Sequence, residues 1–580
     1  MSLSKNQRKQ IKKLALNNSL EVTARTTGLK KVEVENFLRG QWGDEKFGKR
    51  FQEENKLAGS QNIGEGIRQF NFFDFVKENW VTLVALALTV IAVYANSLNS
   101  PFLSDDKAAI LNNPDIANFS KVFVEPLLFV RRLLYYLVFH IGGLSPIYFR
   151  LIDVVAHIGT VWLIFLIVGL LINRRVSIVA ALLFAVHPLA VESVTWISGG
   201  IHSQYTFFCL LSFMFFLFAL YGRNPKQNMV ISSIIFTFAL MSSEKSLVLP
   251  IIEAFFLLSF NKLSEWKKLV PSLTLNIIFG LNFARGIFQR SADFQQKFTY
   301  QAPTLNNPFI QIPTAISEYI RLFLFPIDLT LYHSELHLSP LLFLLRVALT
   351  VAFFGLIICL LGKKVSSSFW LGMMVISLLP TFLPFGLSWV VAERYFYMGM
   401  IGFCVFSAIL FEKMFESRRY KVFGYFILGC VVLAFSVRTI ARNVDWQTED
   451  NLWIATAALS PSNPTTHNNM GDVYSRDGDF EKAVYEFTLA TKMNPRYADA
   501  YHNLANTYFQ MGKLDLAIDN YLLAINFNPM LWQSYQNLGL IYYQQGKIDL
   551  AIENINKALK INPQDTKMES FLREITKLSN

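Results

Sequence analysis

Residues 146–171 read PIYFRLIDVVAHIGTVWLIFLIVGLL. From Val161 onward no charge interrupts the run. A helix needs about 20 such residues, at about 1.5 Å each, to cross the hydrocarbon core of a bilayer. The first half carries Asp153 and His157, four residues apart and so on one helical face. Comparable runs lie near 80–98, 176–196, 204–221, 228–243, 247–260, 269–287, 340–361, 367–386, 395–414 and 420–440. This predicts about eleven spans. Composition agrees. Of 580 residues 53% are hydrophobic, 53 are Phe, and only 16% are charged, against roughly 25% in a typical soluble domain.

Charge then sorts the ends of the runs. The formal net charge is +11, but the excess sits in the N-terminal region and in short loops between apolar runs, so it does not indicate nucleic acid. Arg174-Arg175, Arg223 with Lys226, Lys262 with Lys267-Lys268, Lys363-Lys364, and Lys413 with Arg418-Arg419 and Lys421 mark alternate loops. With the N-terminus in the cytoplasm, every second loop is basic, as the positive-inside rule requires. The apolar segment 313–326 would break that alternation as a span, and it reads as an interfacial or re-entrant helix broken at Pro326. An odd number of spans places the C-terminus outside. Residues 1–75 are polar and basic, so the first span is expected to be an uncleaved anchor. Within them, two short helices around Gly28 would suit helix-turn-helix packing; a cytoplasmic tail whose cations hold the first span's orientation is the simpler reading. Cys209, Cys359, Cys404 and Cys430 all fall in apolar runs and read as small buried hydrophobes.

Beyond a 441–463 linker and capping segment, residues 464–565 repeat every 34 residues. Gly471, Ala505 and Gly539 share that spacing, as do Tyr474, Tyr508 and Tyr542; Ala483, Ala517 and Ala551; Ala490, Ala524 and Ala558; and Pro495, Pro529 and Pro563. Small residues let paired helices approach, and the prolines end each unit. This is the signature of tetratricopeptide (TPR) repeats: three units within 464–580, with helix-like segments at 446–460 and 566–580 to cap the open ends. Such arrays bind peptides or proteins, and Tyr474, Asn503, Tyr508, Asn537 and Tyr542 are the candidate acceptor or partner contacts. The predicted fold is all-α, a polytopic transmembrane bundle over 76–440 followed by an α-solenoid.

Chemistry belongs to the polar residues of the bundle. Asp105-Asp106 follow the first span. A carboxylate there can act as general base or hold a divalent cation, or simply cap a helix over 107–111. Asp153 and His157 either pair with each other or line a cavity. Pro188 should kink the third span and leave His187 and Glu192 near its outer end. Ser242-Ser-Glu244-Lys245 lies between the fifth and sixth spans, and Ala392-Glu393-Arg394-Tyr-Phe-Tyr397 precedes the tenth. Arg394 stands where a lipid phosphate would sit, and guanidinium binds phosphate in bidentate fashion. Snorkelling or interface ion pairs would explain any one of these residues; several near one face point to a site.

In their order along the chain, Pro101-Phe-Leu-Ser-Asp-Asp106, His187-Pro188 with Glu192, Ser243-Glu-Lys245, Asn307-Pro308 leading to Pro326-Ile-Asp328, Ala392–Tyr397, and Asp445-Trp446 with Asn451-Leu452 resemble the C-type glycosyltransferase superfamily. Within it they resemble the transmembrane-and-TPR-repeat O-mannosyltransferases and their bacterial relatives. The resemblance implies a polyprenyl-phosphate sugar donor, attack from the outer or lumenal face, and inversion at the anomeric carbon. Asp105 or Asp106 would be the base. Arg394, with Lys245 or His187, would hold the donor phosphate, and Glu192, Glu244, Glu393, Asp153 and His157 would support the site. A divalent cation such as Mg or Mn is left open. Relatives often carry an Arg followed closely by Asp after the His-Pro…Glu motif, whereas this chain reads Ser198-Gly-Gly-Ile-His202-Ser-Gln204. The expected location is the plasma membrane in a bacterium, or the endoplasmic reticulum membrane in a eukaryote. A membrane-anchored TPR scaffold without activity is the competing reading. A transporter is a third, but 76–440 shows no internal repeat of the kind transporters often carry.

Overall fold

The computed structural model describes residues 5–17, 20–27, 29, 33–43, 47, 64–297, 307–336, 339–382 and 389–579. Among these residues helices alone provide regular structure. Among the described residues six helices are long and apolar enough to cross a membrane: Phe72–Ser97, Pro146–Leu171, Ile197–Tyr221, Pro340–Gly362, Glu393–Glu416 and Lys421–Asp445. A seventh crossing is a bent pair, Arg174–Val186 and Pro188–Val194, with 57° between its halves. Pro188 cannot continue the hydrogen-bond ladder, and the His187 side chain accepts from the Leu189 N–H at 3.2 Å to cap the second half.

The other expected spans fold as shorter or more polar helices. Pro225–Leu240 has 16 residues, Leu249–Ser259 has 11 and Ser367–Leu378 has 12, each under the about 20 that a full crossing takes. Val270–Lys297 is long enough but carries Asn276, Asn282, Arg285 and Arg290. The apolar segment at 313–326 belongs to the helix Pro308–Leu324, which stops before Pro326. One helix has no counterpart among the expected spans: Phe129–Gly142, which carries Arg131 and Arg132. Gly28 lies outside the described residues; on either side of it Ile11, Ala15, Ala24, Val34 and Leu38 close a small hydrophobic cluster.

Packing separates interior from rim. Pro146–Leu171, Ile201–Tyr221 and Tyr397–Glu416 contribute most to the core. Lys421–Asp445 instead exposes Val422, Phe423, Phe426, Leu433 and Val437, and Phe72–Tyr94 exposes Trp80, Val81, Val84, Leu88 and Ile91. Apolar faces this long mark contact with lipid, and the chain is a multi-pass membrane protein.

The bundle has two chemically distinct ends. At one, Phe70 stacks on Phe218, Lys268 donates to the Ala219 carbonyl, and Arg175 pairs with Glu412; Arg174 and Arg223 lie at the helix ends there. At the other, residues 98–106, 195–202, 392–394 and 442–449 meet. The last span leads through buried Trp446 into the helix Glu449–Leu459 and then into paired helices from Pro464–Arg476 to Thr566–Ser579. Gly478, Gly512 and Gly546 turn each pair at φ of +81°, +74° and +73°, values that favour glycine. Gly471 is small for another reason: a Cβ there would lie 2.7 Å from the Phe487 ring.

Candidate functional site at the polar end of the bundle

The two adjacent aspartates have different surroundings. Asp106 is fully buried. One carboxylate oxygen accepts from the Ser198 N–H at 2.7 Å and the other from the Leu103 N–H at 3.2 Å. Burial raises its pKa, while Ser198, the Leu103 N–H and the Arg150 charge pull it down. Asp106 therefore ties the first loop to the stretch Glu192–His202. Asp105 is exposed and, among the described residues, makes no hydrogen bond or ion pair. Ser104 just before it has φ +49°, a left-handed conformation that costs about 1 kcal/mol outside glycine. Arg150 restrains the same loop: it is buried and donates to the carbonyls of Leu98, Ser100, Pro101 and Thr195.

A second cluster gathers around Tyr395. Glu192 accepts from the Arg394 backbone N–H at 2.9 Å and pairs with its guanidinium. That guanidinium lies 4.9 Å from the Tyr395 ring centroid and 5.6 Å from that of Trp196. The Lys245 Nζ lies 3.4 Å from the Tyr395 centroid, a cation–π contact. It is buried without a hydrogen-bond partner. Burial holds the ammonium well below the ordinary lysine range, Glu244 opposes that shift and Arg394 adds to it. His202 is close by, its ring 5.9 Å from that of Tyr395 and its Nδ1 unpartnered. Buried donors without acceptors are costly, and a cluster of this chemistry can accept an anion. The backbone from Glu192 to His202 joins it to the Asp106 anchor at Ser198.

The remaining candidates are placed elsewhere. His187 does not join Lys245 and Arg394 in facing an anion: Nδ1 caps Leu189, Nε2 bonds the Phe323 carbonyl at 3.2 Å, and the ring stacks on Phe323. Asp153 and His157 do not pair with each other. Asp153 accepts from Gln204 at 2.8 Å, whereas His157 bonds the Tyr397 hydroxyl at 2.6 Å. The Asp153 carboxylate fills the space a Cβ would need at Gly200, which is why a glycine stands there. Glu393 is buried against Arg442 at 3.0 Å, and Arg442 bonds Asp445 at 2.9 Å. Glu244 is half-buried beside Lys245. In the array, Tyr474, Tyr508 and Tyr542 pack between helices. Asn503 donates to Asn468, and Asn537 to Asn506, so these amides bridge neighbouring repeats.

Four residues not singled out from the sequence enter the site: Arg131, Arg150, His202 and Arg442. Arg131 reaches the Ser198 hydroxyl at 3.2 Å, so a cation stands beside Ser198-Gly-Gly although the motif there has none. The signal was present for Arg150, a charge inside an apolar run. For Arg131 it lay in a helix too short to read as a span. Among the described residues no group of three or more histidine, cysteine, aspartate or glutamate side chains is placed to hold a metal ion. Asp105 is the exposed carboxylate that a cation such as Mg or Mn would meet first.

Comparison with known proteins agrees with this layout. The family model for dolichyl-phosphate-mannose-protein mannosyltransferase matches residues 127–283, and tetratricopeptide models match 476–512, 505–546 and 532–565. The chain joins a mannosyltransferase-type membrane segment to a TPR array. It is similar to mouse protein O-mannosyl-transferase TMTC3, 27% identical over 72% of this chain and 51% of that one. It is also similar to human protein O-mannosyl-transferase TMTC4, 23% identical over 70% of this chain and 65% of that one. The chain thus spans about half the length of the first of these relatives. A solved structure of ArnT from Cupriavidus metallidurans bound to undecaprenyl phosphate aligns at TM-score 0.35, 13% identical, over 78% of this chain and 80% of that one. That score is too low for fold or ligand to be carried across.

Proposed function

We propose that this chain is a membrane glycosyltransferase that moves a hexose, mannose by its similarity, from a polyprenyl-phosphate donor to a hydroxyl acceptor, a protein Ser or Thr. The observation that carries this reading is that the same end of the bundle holds an exposed, unpartnered carboxylate, Asp105, and a buried ammonium without a hydrogen-bond partner, Lys245, beside Arg394. The two are linked through one stretch of backbone, Glu192–His202. A displacement at an anomeric carbon needs a base on one side and stabilisation of the departing charge on the other.

In this reading Asp105 takes the proton of the acceptor hydroxyl as its oxygen bonds to the anomeric carbon. The bond from that carbon to the phosphate oxygen breaks, and its electron pair leaves with the phosphate. A phosphodiester monoanion thereby becomes a polyprenyl phosphate with greater negative charge. Lys245 and Arg394 meet that charge. Glu192 holds Arg394 in place, and a bound anion favours the charged form of Lys245. Attack opposite the leaving group inverts the anomeric carbon. Asp106 positions the base-bearing loop and does not act on substrate. The polar end of the bundle would face away from the cytoplasm, since the opposite end carries Arg174-Arg175, Arg223 and Lys262. The TPR array would bind the acceptor protein.

The test is consumption of labelled polyprenyl-phosphate mannose, and of the corresponding glucose donor, by the purified chain with a Ser/Thr peptide. The reading expects one donor to be consumed, Asp105→Ala to abolish consumption, and EDTA to leave it in place. If neither donor is turned over while the array still retains protein partners, the scaffold reading replaces it.

A further inference from the structure

The loop after Asp106 and the helix Phe129–Gly142 enclose a cavity of about 230 Å³ that the reaction above does not use. Its polar wall carries one carboxylate, Asp115, against three cations, Lys121, Arg131 and Arg132, with Asn113, Asn118 and Tyr135 between them. Two of its three cations are already neutralised. Arg132 pairs with Glu125 at 2.8 Å, and Lys121 with Asp115 at 3.3 Å. Arg131 has no carboxylate in direct contact: its guanidinium bonds only two neutral hydroxyls, Tyr135 at 3.1 Å and Ser198 at 3.2 Å, while the charges of Asp106 and Asp153 act on it from farther away. Among the described residues no carboxylate comes within ion-pair distance of it. Its location ties it to the site. Ser198, which its guanidinium touches, donates its N–H to Asp106. Ala109, also on the cavity wall, lies one helical turn after Asp105 and on the same side.

We infer that this cavity is an acceptor subsite that takes an acidic side chain lying near the reacting hydroxyl; the assignment to an acceptor rests on the glycosyltransferase reading. Size favours one side chain of a longer ligand. Pockets that engulf a whole small molecule run from about 300 to 1,000 Å³, above what is present. Chemistry favours a carboxylate, because a planar guanidinium with free N–H groups binds it in bidentate fashion. The subsite selects acceptors by charge and holds the hydroxyl against Asp105, apart from whatever the array binds.

The experiment uses the full chain in lipid nanodiscs and two fluorescent peptides. They share one Ser and differ only in a Glu or a Gln beside it. The Glu peptide is expected to bind about tenfold more tightly at low salt. Arg131→Gln should erase that preference, and Arg131→Lys should restore part of it. Donor consumption is measured separately. If the preference exists and depends on Arg131 but no donor is consumed, the enzyme reading falls and the anionic subsite stands. If donor is consumed and the two peptides bind alike, the subsite falls and the enzyme reading stands. A preference that survives Arg131→Gln belongs to the TPR array and overturns the inference. So does a variant that raises KM for donor and leaves both peptides alike, since the guanidinium then serves the donor phosphate. Should Arg131→Gln lose its melting transition, Arg131→Lys decides: it keeps the charge without the planar fork, so the preference should shrink, and an undiminished preference overturns the inference.

Discussion

The TPR array and the polar end of the bundle differ in how their most prominent polar side chains are partnered. In the array the side chains that repeat or bridge the repeats are satisfied by one another: Asn468 with Asn503, Asn506 with Asn537, His502 with Ser534. At the polar end of the bundle, Lys245, His202 and Glu393 each keep a buried atom without a partner. Folding alone disfavours such atoms by about 1–3 kcal/mol each. The first region is arranged for stability and shape. The second holds unmet donors and acceptors in a fixed frame, which is how a site is prepared for a charged ligand.

The sharpest way to break this contrast is Asp105→Ala. If the exposed carboxylate is the base, donor consumption falls by about 10²–10⁴-fold while the melting temperature stays put, because nothing in the fold leans on that side chain. A loss of stability instead would move Asp105 into the structural class. Lys245→Met comes next. It removes an ammonium that has no hydrogen-bond partner, so it should lower kcat by about 10²–10³-fold with little loss of stability. Asp106→Ala should do the reverse of Asp105→Ala first and foremost. Two backbone N–H groups lose their acceptor, and thermal unfolding should report about 1–3 kcal/mol of destabilisation, with activity falling as the loop loosens.

Within the array the corresponding effect is a pH dependence. Burial lowers the His502 pKa from 6.5 to about 4. Between those values the unfolded chain binds a proton that the folded chain does not, so stability falls as pH drops from about 6.5 and the loss is complete below about 4. The expected size is about 3 kcal/mol. Comparing denaturant midpoints at pH 7 and pH 4 for the wild type and His502→Gln isolates it; equal pH slopes would show that the imidazole is solvated in the fold.

The array was legible in the sequence because its signal is periodic: Gly471, Ala505 and Gly539 recur at the one point where paired helices touch. Pro188 likewise announced a break, and the fold bends there by 57°. The membrane count was less legible. Pro225–Leu240 and Ser367–Leu378 look like spans by composition but fold as shorter helices, and hydropathy does not report where a helix stops. Within the site, spacing brought Arg394, Glu192 and Lys245 forward together. It could not separate Asp105 from Asp106, because the difference is made by the Ser198 N–H, 92 positions away in the chain. Nor could it show that Asp153 and His157, though on one helix face, turn to Gln204 and Tyr397. Those choices are tertiary.

The passage from the last span into the array has one more consequence. The helix Glu449–Leu459 follows Trp446 with hardly any slack, and Trp446 stacks on Trp196. Glu449 pairs with Lys107, two residues beyond Asp105, and Asp450 pairs with Arg476 of the first repeat. Ser462 and Ser460 bond the loop at 332–335. The array is thus bolted to the bundle at several points, one of them beside the proposed base. A protein gripped in such an array would be held like work on a lathe, with the tool at a set distance along the bed. Which residue of the client met Asp105 would then be decided as much by how far it lay from the gripped segment as by its own neighbours.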